Sequence, residues 1–172
     1  SKADDSEEMQ KVKNWIDAFM RIPFGNYIEL PIRLGSNPGT EIQKFMVDAR
    51  THLDSVAYGL NDAKTKLIEV LGQWIANPKC SGTSIALKGP MGTGKTTLIK
   101  EGLSKIIQRP FEFIALGGST DGCTLEGHSY TYVGSTWGEI VSILLRSKCM
   151  NPVIYFDELD KISQSPRGQE IA

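Results

Sequence analysis

The sequence has little of what marks several common classes of protein. Its 172 residues include only three cysteines, widely spaced and without a C-x-x-C pair, which disfavours a disulfide framework or a zinc site. A net charge of −1 gives no basic surface for nucleic acid. No apolar run approaches the length of a membrane span, and the acidic start lacks the pattern of a secretion signal. We therefore expect neither a nucleic-acid nor a membrane partner. We also expect a cytoplasmic location, with a mitochondrial or other organelle matrix as the alternative.

One glycine-rich run is the most informative feature that is present. It fits the pattern G-x-x-x-x-G-K-[ST] and consists of Gly89, Pro90, Met91, Gly92, Thr93, Gly94, Lys95, Thr96 and Thr97. Its glycines let successive backbone N–H groups turn towards phosphate oxygens, and a following helix adds its positive dipole end. Lys95 is placed to reach the β- and γ-phosphates of a nucleoside triphosphate, and the Thr96 hydroxyl to ligate Mg²⁺. The alternative is a chance glycine-rich turn.

The flanking sequence favours a phosphate-binding loop. Residues 84–87 form a short apolar run that predicts a buried strand, and residues 96–107 carry apolar side chains at helical spacing. Further patterns predict helices over residues 6–20, from an N-cap at Thr40 to about residue 52, from about 59 to 77, and around 137–145. Residues 111–115 alternate as a strand does. Strands that alternate with helices from residue 84 onward predict a parallel sheet covered by helices.

A second motif would complete the site. Residues 153–158 form an apolar, β-rich run that ends in Asp157 and Glu158. An acid at the carboxyl end of a buried strand lies in the crevice where open α/β sheets bind ligands, so Asp157 can hold Mg²⁺ through water. Glu158 can orient and deprotonate the water that attacks the γ-phosphate. The alternative is that the two acids only cap a turn.

Several stretches of the chain resemble the ATPase (AAA+) domain of Lon proteases. These are Asn14-Trp15-Ile16 with Ile22-Pro23-Phe24, Leu53-Asp54 with Tyr58-Gly59-Leu60, the run from Gly117 through Gly127–Gly134 to Trp137-Gly138, and residues 157–161. The resemblance implies an α/β fold of the P-loop NTPase class, a parallel sheet flanked by helices, incomplete and with an N-terminal helical extension. It implies a helical extension and connector at residues 1–52 and a nucleotide-binding core at 53–172. It also implies that the sensor strand, the arginine finger and a Ser-Lys peptidase domain lie beyond Ala172.

The same resemblance implies roles for particular residues. Tyr58 and Gly59 would lie at the adenine, and Tyr132, Val133 and Gly134 would form a loop that grips substrate polypeptide in the pore of a ring. A flat aromatic side chain suits such a grip because it buries area without demanding one sequence. The alternative places Tyr132 on an ordinary strand edge. Ser129-Tyr130 departs from the family, which usually has two basic residues there. The implied partners are copies of the chain itself in a ring, expected to be a hexamer, and polypeptide substrates.

Three functions are compatible with these features. The leading hypothesis is ATP binding and hydrolysis that drives polypeptide unfolding and translocation, as the ATPase module of a Lon-like ATP-dependent serine peptidase. The second is a remodelling ATPase without a peptidase domain. The third is a nucleotide-switched interaction module. For the isolated chain we expect almost no hydrolysis.

Overall fold

The computed structural model describes residues 2–79, 82–117, 123–127 and 137–159. They fall into two compact units. The phosphate-loop unit comprises Ile28–Pro110, and the strand unit comprises Ser1–Tyr27 together with Phe111–Ala172. Neither boundary coincides with residue 52, and the division into an extension and a core stays a prediction.

Helices dominate the phosphate-loop unit. Helix α2 spans Gly39–Val56, and α3 spans Asn61–Ala76. A third helical stretch begins as α4 (Lys95–Thr97), continues as a π-helix (Leu98–Leu103) and ends as α5 (Ser104–Ile106). We call this stretch the loop helix. The largest fully buried side chains of the unit come from all three helices and the residue after the last: Leu53, Leu67, Leu71, Leu98 and Ile107.

A close approach between α2 and the loop helix fixes their packing. A β-carbon built on Gly102 would lie 2.8 Å from Cδ2 of Leu53 and 3.3 Å from Cγ2 of Val56. Only a residue without a side chain allows these helices to meet there. His52 adds a polar contact, with its Nε2 atom 2.7 Å from the carbonyl oxygen of Glu101. The loop helix is thus held against α2 by both shape and hydrogen bonding.

Two local predictions for this unit are wrong. Residues 84–87 have no regular structure, although Ile85 and Leu87 are half-buried. In the described part of the chain, no strand pairs with these residues, and a strand needs such a neighbour for its hydrogen bonds. Thr40 is not the N-cap of α2, because the carbonyl of Pro38 already accepts the N–H groups of Glu41 (3.0 Å) and Ile42 (3.2 Å). The N-cap is Pro38, and the helix therefore begins two residues earlier than predicted, at Gly39.

The strand unit contains the parallel pair that the sequence predicts. Strand β1 (Phe111–Ala115) lies beside β2 (Val153–Asp157), with Phe111 opposite Val153 and Ala115 opposite Asp157. Helix α7 (Glu139–Ser147) packs on this pair, and its fully buried Ile143 joins Ile114 and Leu116 in the core. Consecutive strands joined by a crossover that contains a helix match the predicted alternation.

Two further helices belong to the strand unit. Helix α1 spans Lys2–Arg21 and confirms the predicted N-terminal helix. Trp15 on α1 meets Trp137 edge to face, with ring centroids 6.2 Å apart. A short helix α6 (Cys123–Glu126) was not predicted, since four residues are too few to show a helical period. None of the helices in the ranges described is long and apolar enough to cross a membrane.

Candidate nucleotide-binding site

The glycine-rich run forms a loop that leads directly into a helix. Gly92 has φ = +74° and Gly94 has φ = +85°, a left-handed backbone that favours glycine. Gly94 precedes α4, and its carbonyl accepts the N–H of Leu98 at 2.8 Å. The N–H groups of a first helical turn have no carbonyl within the helix to bind, so this turn can donate to an anion. The predicted loop-to-helix geometry is therefore present.

The side chain of Lys95 folds back over the loop. Its Nζ atom donates hydrogen bonds to the carbonyls of Gly89 (2.9 Å) and Pro90 (2.6 Å). The Thr93 hydroxyl donates to the same Pro90 carbonyl at 3.0 Å. The ammonium charge thus lies at the loop, where triphosphate oxygens would compete with neutral carbonyls for its protons, and a charge-assisted bond to phosphate is the stronger of the two.

An open pocket of about 520 Å³ lies beside this loop. Its size suits a small-molecule ligand. One wall comes from the segment between α2 and α3, and the other from the glycine-rich run; the lining residues are Val56, Ala57, Tyr58, Leu60, Gly92, Thr93, Gly94 and Thr97. Tyr58, predicted to lie at the adenine, is fully exposed at its edge. The structure therefore brings the predicted adenine segment and the predicted phosphate loop to one pocket.

Not every predicted binding residue lines this pocket. Gly59 has φ = +69° and stands between two lining residues without being one itself. The remaining residues of the run lie in the loop and the first turn of the loop helix, outside the lining: Gly89, Pro90, Met91, Lys95 and Thr96. Their binding roles stay predictions.

Sequence reasoning missed a buried lysine that binds the backbone of one lining residue, Ala57. Lys64 is 2% exposed, and its Nζ atom donates to Oδ1 of Asp54 (2.9 Å) and to the carbonyl of Ala57 (2.7 Å). The hydrogen bond from Lys64, followed by that from Arg50, holds the pKa of Asp54 below its ordinary value. A sequence signal existed, because Lys64 stands three residues before Leu67 and seven before Leu71, on the apolar stripe of α3.

The acidic motif lies at the carboxyl ends of the paired strands. Asp157 is the last residue of β2, and its carbonyl accepts the N–H of Leu116 at 2.9 Å. Glu158 follows in a left-handed conformation (φ = +57°), which is unfavourable for a residue with a side chain. Its carboxyl group lies over Gly117, two residues beyond β1, where a β-carbon would overlap Oε2 of Glu158. The strand ends therefore hold both acids at the edge of the sheet where ligands bind in α/β folds.

Two predictions about the site stay predictions. Lys95 belongs to the phosphate-loop unit and Asp157 to the strand unit, so their convergence on one triphosphate is an expectation from the sequence. The predicted pore residues Tyr132, Val133 and Gly134 lie outside the described residues.

One unit contains a parallel strand pair with a helix packed on it, the other contains a glycine-rich loop that leads into a helix, and comparison with known proteins gives the family. Residues 85–171, about half of the chain, match the ATPase family associated with various cellular activities (AAA). The chain belongs to this family. The predicted α/β nucleotide-binding fold and the predicted ATPase class are thereby confirmed.

Curated relatives narrow the comparison further. The chain is 34% identical over 172 residues to a Lon protease homolog of Acanthamoeba polyphaga mimivirus, and the alignment covers 96% of this chain and 16% of that protein. It is 38% identical over 143 residues to Lon protease 2 of Borreliella burgdorferi, covering 83% and 18%. It is 33% identical over 169 residues to a mitochondrial Lon protease homolog of Scheffersomyces stipitis, covering 98% and 14%. The chain thus spans less than a fifth of each of these relatives, and the predicted resemblance to Lon proteases is confirmed.

Proposed function

We propose that this chain binds ATP with Mg²⁺ in the pocket between the 56–60 segment and the glycine-rich loop. The observation that carries this proposal is the shared pocket, since one wall offers backbone donors for phosphates and the other offers apolar area for a base. The loop from Gly89 to Thr97 would bind the phosphates, with Lys95 at the β- and γ-phosphates. Tyr58 and Gly59 would lie at the adenine.

The donor set proposed for Mg²⁺ fits that ion. Thr96 supplies a hydroxyl oxygen and Asp157 a carboxylate oxygen, and Mg²⁺ prefers such oxygen ligands while it keeps several waters. When bound, the ion would neutralise charge on the phosphate oxygens. Asp157 is suited to the role because its backbone is fixed at the end of β2.

Glu158 is the proposed base for the attacking water. Its carboxyl group lies at the strand ends against Gly117, beside the proposed metal ligand Asp157. A carboxylate there can accept a proton from water as the oxygen attacks the γ-phosphate. Lys95 would stabilise the charge that develops on the phosphate oxygens.

We further propose that the ATPase acts on polypeptides, as the names of the Lon relatives suggest. Hydrolysis would move the loop of Tyr132, Val133 and Gly134 in a ring of identical subunits, expected to be a hexamer, and would feed substrate to a peptidase. No nucleic-acid partner is proposed, given the net charge of −1. The location proposed is the cytoplasm or, as for the mitochondrial relative, an organelle matrix.

Binding of ATP to variants of the chain tests the site. Titration calorimetry with Mg²⁺ present should show ATP binding to the wild-type chain and at least about tenfold weaker binding to Lys95→Ala, since a charge-assisted contact to phosphate is lost. Lys105→Ala removes the same charge from an exposed position on the loop helix and should bind as the wild type does. Equal affinity in Lys95→Ala and Lys105→Ala would exclude the proposed phosphate site.

A hydrolysis assay in the full-length protein tests the acids. Glu158→Gln should lose hydrolysis and keep ATP binding, because the amide retains the shape of the carboxylate but cannot accept the proton. Normal hydrolysis in this variant would remove Glu158 as the base.

A further inference from the structure

Lys64 is the one charged side chain among the residues described that is almost fully buried, and it binds the backbone of Ala57, which lines the proposed nucleotide pocket. Burying an ammonium group costs free energy unless it is paired and hydrogen-bonded. The ammonium group of Lys64 donates to the carboxylate of Asp54, near the end of α2, and to the backbone carbonyl of Ala57, just beyond that helix. The burial of this charge is therefore tied to the segment that forms one wall of the pocket.

That segment has an unfavourable backbone. Gly59 (φ = +69°) and Leu60 (φ = +53°) are both left-handed, a conformation that costs a leucine free energy. Such a conformation persists only where the surroundings hold it. The side chain of Lys64 holds the start of the segment, because it binds the carbonyl of Ala57. The end of the segment is held by the first backbone hydrogen bond of α3, from the N–H of Lys64 to the carbonyl of Leu60 at 2.9 Å, which does not depend on the lysine side chain.

We propose that Lys64 is a positioning residue for the adenosine half of the nucleotide, acting through the Ala57–Leu60 segment. This inference rests on the proposed function, since it assigns a device to the same pocket. Ala57, Tyr58 and Leu60 line the pocket, and a β-carbon at Gly94 would lie only 3.9 Å from Cβ of Ala57. A shift of Ala57 therefore moves the base wall relative to the phosphate loop.

The role is more than that of a link between two helices. Asp54 also accepts a hydrogen bond from Nε of Arg50 (3.2 Å), and Nη1 of Arg50 donates to the hydroxyl of Thr65 on α3 (3.2 Å). Helices α2 and α3 thus stay connected through Arg50 when Lys64 is replaced. The contact that only Lys64 makes is the one to the Ala57 carbonyl, at the start of the pocket wall.

Two ligands separate positioning from general stability. ATP uses both walls of the pocket, whereas inorganic tripolyphosphate uses only the phosphate loop. In Lys64→Met, which keeps the apolar stem, we expect ATP affinity to fall about tenfold and tripolyphosphate affinity to stay within about twofold of the wild-type value, because lost pre-organisation weakens only the base contacts. The matched control is Lys66→Met, on the same helix but with a side chain 60% exposed, which should bind both ligands as the wild type does.

Each outcome of the calorimetric titrations decides between the hypotheses. If Lys64→Met binds ATP as the wild type does, or loses both ligands to the same degree, the positioning role is excluded while the proposed function stands. If the wild-type chain binds neither ligand, the proposed function fails and the inference fails with it. Circular dichroism shows whether the variant folds. If Lys64→Met does not fold, Lys64→Gln replaces it, because the shorter amide keeps polarity without reaching both acceptors, and the same two criteria apply.

Discussion

Gly117 lies beneath the carboxyl group of Glu158, and a side chain at this position would displace that group. A β-carbon there would overlap Oε2 and lie 3.0 Å from Cδ of Glu158. These atoms belong to the movable end of a side chain, so Gly117→Ala should cost little stability and should instead move the proposed base. We expect the full-length Gly117→Ala variant to lose at least about tenfold in ATP turnover, a part of the about 10²–10⁴-fold that a positioned general base contributes, while ATP affinity is unchanged.

The comparison variant for Gly117→Ala is Glu158→Gln, which removes the base without moving it. Both variants should show low turnover in a steady-state hydrolysis assay and wild-type affinity for ATP in an equilibrium binding assay. Wild-type turnover in Gly117→Ala would show that the carboxyl group can act from another position, and that its contact with Gly117 is incidental.

Individual residues show what sequence reasoning could and could not reach. The backbone of the glycine-rich run is predictable because the motif depends on local spacing, and Gly92 and Gly94 have the left-handed conformation that suits it. Lys64 was passed over because its role depends on the carbonyl of Ala57, a backbone atom without any signature in sequence.

Substitution of two helical glycines by alanine should change the stability of the chain in opposite directions. At Gly72 in α3 a β-carbon would make ordinary contact with Cε of Met46 at 3.8 Å, so Gly72→Ala should stabilise the chain by about 0.5–1 kcal/mol. At Gly102 the same atom would lie 2.8 Å from the fully buried Leu53. Overpacking of about 1–3 kcal/mol outweighs the gain in helix propensity there. Urea unfolding should give a higher midpoint for Gly72→Ala and a lower one for Gly102→Ala; the reverse order would mean that α2 and the loop helix are not in close contact.

The ion pair between Asp54 on α2 and Lys64 on α3 should make the free energy of unfolding depend on pH in the acidic range. Because hydrogen bonds from Lys64 and Arg50 lower the pKa of Asp54 in the folded chain, the charged carboxylate stabilises that state above its ordinary pKa of 3.8. This contribution is lost as the pH falls through the lowered value. Asp54→Asn should therefore lower the urea midpoint at pH 7 and show a smaller difference from wild type near pH 3.

Asp48→Asn is the control for the acid experiment, since it removes the same charge from an exposed position on α2. It should unfold near the wild-type midpoint at both pH values. A constant deficit for Asp54→Asn from pH 7 to pH 3 would indicate that packing, and not ionisation, is what Asp54 contributes.

Helices whose apolar spacing continues over several turns were predicted well, and elements that depend on contacts with neighbouring segments were not. Helices α1, α3 and α7 each show several turns of apolar spacing, which is a local property of the sequence. The strand expected over residues 84–87 failed because pairing is a property of two segments, and an apolar run cannot specify its partner. The π-helical turn at Leu98–Leu103 also has no sequence period of its own, so a regular helix was expected there.

At the scale of the whole molecule, the proposed site depends on two predictions of different kinds. The phosphate loop and the adenine segment lie within the phosphate-loop unit, and their meeting in one pocket was implied by resemblance to Lon proteases, not by spacing alone. The acidic strand lies in the strand unit. Residues more than fifty positions apart come together only through tertiary folding, for which local patterns carry no direct signal, so the pairing of Lys95 with Asp157 stays a prediction.

Binding and hydrolysis of ATP should separate when the 172-residue chain is studied alone. The pocket lies within one unit, so we expect the chain to bind nucleotide by itself. Rapid hydrolysis in enzymes of this kind also needs a cationic group at the transition state, and an arginine finger supplied by a neighbour is worth about 10³–10⁵ in rate. We expect calorimetry to detect ATP binding and a phosphate-release assay to detect turnover at least about a thousandfold below that of the full-length protein. The same assay on the Lys95→Ala variant of the chain gives the background rate. Turnover by the isolated chain at the rate of the full-length protein would mean that it needs no neighbour, and would count against a ring as the active form.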